Sequence, residues 1–429
     1  MTPSFQQREP RPVGRRAQIS WALYDWAGNA FATVILSFVF SAYFTRAVAE
    51  TPEAGTSLWG TTIAIASIAV ALMAPIAGAV ADQGGPAKPW LAMCTVLCVG
   101  ATAGLWFVEP AASAVLLALI LVGIGQFGFE MSFVFYNSML PRLVPSHQMG
   151  RLSGWGWGLG YIGGLVILSV ALFGFIRVET PPLGLDKDTA EHVRIVGPLA
   201  ACWFAVFALP LFLWTPDRAA TRQSPGTMLR QGVRQLVQTF RRIRSHANTF
   251  RFLIARLFYY DGLNTMFVFG GVYAAGTFDM DVATVTLFGI ALNVAAGLGA
   301  AVGGWVDDWI GPKRTILASL VGLLACGTIL VITDQTQVFW VFGVALGLFM
   351  GPVQSASRSL MGRLAPADME TEMYGFYATS GKATSFIGPA LVAWLAEVSG
   401  SQRIAVASIM LFFLVGIILM LRVRDPEVE

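Results

Sequence analysis

Twelve long apolar stretches constrain this chain more than any other feature, at about 19–47, 58–81, 89–108, 111–140, 151–176, 197–214, 250–275, 283–306, 315–332, 337–361, 371–397 and 403–421. They run from 18 to 30 residues, and a helix rising 1.5 Å per residue needs about 20 to cross a bilayer core. Lipid offers the backbone no hydrogen bonds, so a spanning segment is a helix or belongs to a closed barrel. A barrel would show short strands of alternating polarity, and the sequence has none. Only 12% of residues are charged and 55% are hydrophobic, whereas a soluble domain carries about 25% charged residues. The expectation is an all-α protein embedded in lipid.

Charge placement orients it. With the N-terminus inside, twenty of the 28 Lys and Arg fall in inner segments, five in outer loops (Arg46, Arg177, Lys187, Arg194, Arg403) and three within spans (Arg256, Arg358, Lys382). Basic residues gather on the cytoplasmic side, so both termini are expected there. Arg8, Arg11, Arg15 and Arg16 precede a segment too long for a signal-peptide core, and no A-x-A site follows. The longest inner loop, about 215–249, carries Arg218, Arg222, Arg230, Arg234, Arg241, Arg242 and Arg244 against Asp217 alone. Within it Leu229, Val233, Leu236, Val237 and Phe240 share a helical face over Met228–Ile243. That pattern suits a basic amphipathic helix on the membrane surface rather than a nucleic-acid contact. The loop divides the chain into 1–214, a linker 215–249, and 250–429.

The two parts echo each other. Tyr24, Asp25, Asn29 and Phe31 return as Tyr260, Asp261, Asn264 and Phe267. Gly78, Asp82 and Gly85 match Gly304, Asp308 and Gly311 at identical offsets. NSMLPRLVP (137–145) matches RSLMGRLAP (358–366), and Gly154 and Gly160 match Gly375 and Gly381. The shift falls from 236 to 226 to 221 along the chain, changing only where loops intervene. Each half holds an even number of spans, so the copies share one orientation about an axis along the membrane normal.

Twelve spans, a long central inner loop and G-x-x-x-D-x-x-G after spans 2 and 8 resemble the major facilitator superfamily over nearly the whole chain. YDWAGNAF, YYDGLNTMF and YNSMLP resemble its vacuole-effluxer branch, the autophagy-related amino-acid exporters and their bacterial relatives. The resemblance implies two six-helix bundles that rock about a central site, with Asp82 and Asp308 latching the cytoplasmic side. Lys313, Arg314 and Arg358 are the expected gate cations. The first loop departs from the pattern: Gln83 follows Asp82, and Pro86-Ala87 stand where bases are expected.

An ionisable group inside a span is costly and usually faces the bundle interior or a water-filled path. Asp25, Glu130, Asp261 and Lys382, with Asn29 and Asn264 one turn past the two aspartates, are therefore the candidate substrate and coupling residues. Lys382 would hold an anionic group of the solute or form a structural pair with an acid. Glu130 would be part of a buried pair or a protonatable site. Arg256 and Arg358 could snorkel to the inner headgroups. Gly156, Gly160 and Gly164 form a small-residue stripe for close helix packing. Trp155, Trp157 and Tyr161 could line a cavity, with at least one Trp expected to face lipid or pack. Cys94 and Cys98 share a helix face, but with no accompanying soft ligands they read as buried small residues. His147, His192 and His246 show no zinc spacing. No metal or cofactor is implied, and no GxxxxGK[ST] loop for ATP is present.

The expected protein is a multi-pass secondary transporter of the bacterial inner (plasma) membrane, a monomer whose partners are the bilayer, a small solute and protons as coupling ion. Amino acids or related zwitterions lead as solute, with efflux as direction. The alternatives are an organic-anion, drug or other metabolite transporter of the same fold, or a non-transporting receptor or scaffold.

Overall fold

The structure is a computed structural model that describes residues 13–221, 223–241 and 246–425. Arg8, Arg11, Arg222, Arg242 and Arg244, and the expected end of the linker helix at Ile243, lie outside the described residues. Helices are α1 (Arg15–Val48, including two wider π-helical stretches), α2 (Pro52–Gly84), α3 (Lys88–Gly104), α4 (Val115–Ser138), α5 (Met149–Ala171), α6 (Val196–Trp214), α7 (Pro225–Arg241), α8 (Ala247–Phe278), α9 (Val282–Ile310), α10 (Pro312–Ile332), α11 (Thr336–Leu364), α12 (Glu370–Lys382), α13 (Ile387–Ser399) and α14 (Gln402–Leu421). Among the described residues, ten helices are long and apolar enough to cross a membrane. The other two crossings are α8, which carries Arg251, Arg256 and Asp261, and the pair α12–α13. Large apolar side chains such as Leu72, Val96, Leu116, Phe173, Val302 and Val341 stay exposed on the outer surface, where lipid covers them.

The sequence predicts one continuous span over 371–397; the structure breaks it at residues 383–386. Pro389 has no N–H to give the carbonyl of Ser385, and its ring crowds that carbonyl. The freed Ser385 carbonyl accepts from the Asn264 amide at 3.2 Å. The freed Gly388 N–H donates to the Asp261 carboxylate at 3.3 Å. Asp261 thus sits at the N-terminus of α13, where the helix dipole favours negative charge.

Two seams join the halves, α2 against α12 and α5 against α9. Both use glycine for close approach. A Cβ on Gly375 would strike the Ala74 carbonyl and Pro75, and one on Gly78 would strike Thr371. In the other seam a Cβ on Gly154 would strike the Ala300 carbonyl and Gly304, and one on Gly304 would strike Gly150. These are the residues the repeat alignment pairs, so the two seams are copies of one contact. The stripe Gly156, Gly160, Gly164 packs α5 on α1, facing Asp25, Asn29 and Thr33 in turn.

The helix α7 packs along α2, with Gly232 against Val80. Leu229, Val233 and Val237 remain exposed beside it. Asp217 caps the start of α3, accepting from the backbone N–H groups of Ala87 and Lys88 at 3.0 and 2.7 Å. At the opposite end of the molecule Asp281 caps α9 through the Thr284 N–H at 2.8 Å, and hydrogen bonds from the Thr284 hydroxyl first and its backbone N–H second hold the Asp281 carboxyl below the ordinary value.

Candidate functional site: a central cavity between the halves

A cavity of about 210 Å³ lies where α1, α4, α5, α8, α11 and α12 converge. It is smaller than the roughly 300–1,000 Å³ typical of drug-sized ligand sites, so it suits a small solute. Its ionisable lining is Asp25, Glu130, Arg256, Arg358 and Lys382, with tyrosines 259, 260, 374 and 377, Trp157, Asn29, Asn137 and Gln354 around them.

Two ion pairs cross this cavity, each joining one half of the chain to the other. Arg358 of α11 donates to Asp25 of α1 at 2.8 Å. The guanidinium also donates to the Ser153 hydroxyl at 2.9 Å and the Ser153 carbonyl at 2.6 Å, while the Tyr136 hydroxyl donates to Asp25 at 2.9 Å. Arg358 is 1% exposed and Asp25 2%, so this is a fully buried pair, and Trp21, Tyr136 and Trp157 surround the guanidinium. The second pair is Lys382 of α12 with Glu130 of α4 at 2.7 Å; Gln126 also donates to Glu130 at 3.3 Å.

Arg256 and Arg358 do not snorkel. Arg256 is 4% exposed and turns inward from α8, donating to the Tyr377 carbonyl at 2.7 Å and the Ser380 hydroxyl at 2.8 Å. It lies over the rings of Tyr377, at 3.6 Å, and Tyr260, at 4.4 Å. Of the candidate site residues, Asp25, Asn29, Glu130 and Lys382 line the cavity. Asp261 and Asn264 do not line it; Asp261 is held by the start of α13 and Asn264 by the Ser385 carbonyl in the break before it. Trp157 lines the cavity, Tyr161 donates to Gln354 at 2.9 Å, and Trp155 lies 42% exposed against Trp305.

At the end of the molecule where the described chain begins and ends, at Val13 and Asp425, the seams are tied by two acids. Asp82 accepts from the backbone N–H groups of Thr371 and Glu372 at 3.2 and 2.8 Å, so α2 caps α12. Asp308 accepts from those of Gly150 and Arg151 at 2.9 and 3.2 Å, so α9 caps α5. The donor pairs differ by the same 221 positions that relate NSMLPRLVP (137–145) and RSLMGRLAP (358–366). The cations are not those the sequence suggests. Arg314 is exposed, and Lys313 reaches the Leu421 carbonyl at 3.4 Å. Arg151 and Arg363 serve Asp308 instead, at 2.7 and 3.5 Å. Arg218 of the linker serves Asp82 at 3.4 Å and also pairs with Glu370, which Arg142 holds at 2.9 Å from the other half. The linker therefore supplies the base that the first loop lacks. Gln235 of α7 extends the bridge, binding Gln83 on one half and Glu372 on the other.

Solved structures that share this architecture include transporters. The proton:xylose symporter XylE bound to 6-bromo-6-deoxy-D-glucose superposes with a TM-score of 0.71 at 15% identity, covering 96% of both chains. FucP in its outward conformation gives 0.70 at 14%, covering 96% of this chain and 99% of FucP. The human organic anion transporter MFSD10 gives 0.68 at 15%, covering 96% of this chain and all of that one. A twelve-span fold in two repeats around a charged cavity defines the class by its architecture: a multi-pass membrane protein of the major facilitator fold. Within that class the chain belongs to the vacuole effluxer Atg22-like family, whose model matches residues 48–427. The uncharacterized MFS-type transporter YxiO of Bacillus subtilis (strain 168) is 29% identical over 406 residues, covering 94% of this chain and 93% of YxiO. Autophagy-related protein 22-1 of Neosartorya fischeri is 28% identical over 298 residues, which cover 64% of this chain and 48% of that protein. The chain thus spans about half the length of this fungal relative.

Proposed function

We propose that this protein is a proton-coupled exporter of a small carboxylated solute, with amino acids or related zwitterions the leading class. It works by alternating access in a bacterial inner membrane, as a monomer with both termini cytoplasmic. Residues 1–214 and 250–429 are the rocking units and 215–249 the strap between them. The observation that carries the reading is the pair of ion pairs, Asp25–Arg358 and Glu130–Lys382, each shared between the halves inside one small cavity. Rocking must separate the partners, and protonation of an acid or binding of a charged solute supplies the compensation that separation requires. The latched terminus end corresponds on this reading to an outward-facing state. The family's name as effluxers favours export, and the excess of Lys and Arg at the terminus end favours the orientation.

The test is transport by the full chain in liposomes under an imposed pH gradient, across amino acids, organic acids and sugars. The expected result is movement of a carboxylated solute that follows the pH gradient and is lost in Glu130→Gln. Folded protein that moves no solute in the panel would overturn the transporter reading.

A further inference from the structure

The cavity's charges do not cancel. Its lining holds two carboxylates, Asp25 and Glu130, and three cations, Arg256, Arg358 and Lys382. Arg358 lies 2.8 Å from Asp25 and Lys382 lies 2.7 Å from Glu130. Arg256 alone among these described cations has no carboxylate within ion-pair distance. A guanidinium has five N–H donors, and here Nη1 serves both neutral acceptors, the Tyr377 carbonyl and the Ser380 hydroxyl. The Nε atom is buried and has no hydrogen-bond partner. A buried cation without a counter-ion is expensive, and it becomes favourable when an anion arrives to share its donors.

The surroundings fix what kind of anion. The guanidinium carbon lies over the rings of Tyr377 and Tyr260, at 3.6 and 4.4 Å, which help hold it in place, and a guanidinium's planar set of donors matches a planar oxyanion. Gly381 closes on it from α12, where a Cβ would meet Nη1 at 2.9 Å. Glycine there keeps the guanidinium's approach to α12 open. Room for one small solute and one uncompensated positive charge match a single carboxylate.

We propose that Arg256 is the receptor for the carboxylate of the transported solute. Lys382, the cation that sequence position alone favours, is already neutralised by Glu130. This assignment rests on the reading of the cavity as a transport site, and it deepens that reading by naming the group recognised. The solute carries one carboxylate: a monocarboxylate balances the cavity's net charge, whereas a zwitterionic amino acid gives Arg256 a carboxylate partner and leaves the net charge of the cavity unchanged, its ammonium facing the surrounding aromatic rings.

The experiment uses the purified full chain and the twenty proteinogenic amino acids and short monocarboxylates, each beside its primary amide. Binding is read by ligand-induced thermal stabilisation. The wild type is expected to bind carboxylates and to lose roughly tenfold to a hundredfold in affinity for the amides, the worth of hydrogen bonds to a charged partner. Arg256→Gln is expected to erase that difference. Arg256→Lys, which keeps the charge and loses the fork, is expected to keep the preference at weaker affinity, and it serves as the test should the glutamine variant not fold. A carboxylate preference that survives Arg256→Gln places the anion on another cation and overturns the proposal. Binding of neutral solutes only also overturns it while leaving a transporter. A wild type that neither binds nor moves any solute overturns the transport reading itself.

Discussion

Removing Arg358 should cost more than removing Arg358 and its partner together. In Arg358→Met, Asp25 keeps only the Tyr136 hydroxyl at 2.9 Å, inside a protein interior where it is 2% exposed. Breaking a buried pair from one side typically costs about 3–5 kcal/mol, because the remaining charge is uncompensated. At about 2.1 cal/mol/K of unfolding entropy per residue, a chain of 429 residues loses roughly 1 °C of Tm per kcal/mol. Arg358→Met should therefore unfold about 3–5 °C below wild type. Asp25→Asn is milder, since the guanidinium retains the Ser153 hydroxyl and carbonyl. The double variant Asp25→Asn/Arg358→Met buries no charge at this position. Exchanging a buried pair for neutral groups is often neutral or stabilising, so the double should recover about 1–3 kcal/mol relative to Arg358→Met. The assay is the fraction of monodisperse protein surviving heat, followed by size exclusion. Only the order of the three variants is needed. If the losses simply add, the pair contributes no coupling, and the account of the cavity as two cross-half ion pairs is wrong.

The latches and seams give two further predictions. In a cysteine-free background carrying Val353→Cys, a buried cavity position, Asp308→Ala or Asp82→Ala should raise labelling by a membrane-impermeant thiol reagent from the terminus end at least tenfold. Each removes an acceptor for two backbone N–H groups, and bonds to a charged group are worth about 1.5–3 kcal/mol each; unchanged labelling in both would remove these acids from the gate. Gly154→Ala should destabilise by about 1–3 kcal/mol, the range for an overpacked contact, because its Cβ meets backbone of α9. Gly160→Ala should cost less, because its Cβ meets the movable Asn29 amide; the reverse order of melting temperatures would contradict the packing described.

The spans, the duplication and the placement of Asp25, Glu130 and Lys382 inside the bundle were legible in the sequence because each follows from a one-dimensional signal: apolar length, internal echo, or a charge in an apolar run. Partners were not legible. Nothing in the sequence says that Arg358 meets Asp25, 333 residues away, or that Arg218 reaches from the linker to Asp82. Arg256 illustrates the limit: six residues into its span it reads as a snorkelling side chain, and only the packing of Tyr377 and Ser380 shows it turned inward. The break in the eleventh span did leave a cue, since Gly388-Pro389 lies in the middle of it. A single proline in a span is often tolerated as a kink, and it was Asp261 and Asn264 on a neighbouring helix that made a full break affordable. The aspartates paired by the repeat thereby acquire different work, Asp25 in an ion pair and Asp261 at a helix terminus.

The latches also bear on how such a chain tolerates evolutionary drift. Their donors at positions 150, 151, 371 and 372 are main-chain N–H groups, which every amino acid but proline supplies. Substitution at 151, 371 or 372 leaves the donors standing, whereas a Cβ at position 150 would strike Asp307 and the Gly304 carbonyl, so each latch depends on one acid and on the glycines that let the helices approach. The two copies share this main-chain donor pair and differ in the source of their cations, Arg218 at Asp82 and Arg151 with Arg363 at Asp308, so the backbone itself is the half of each lock that the repeat has in common.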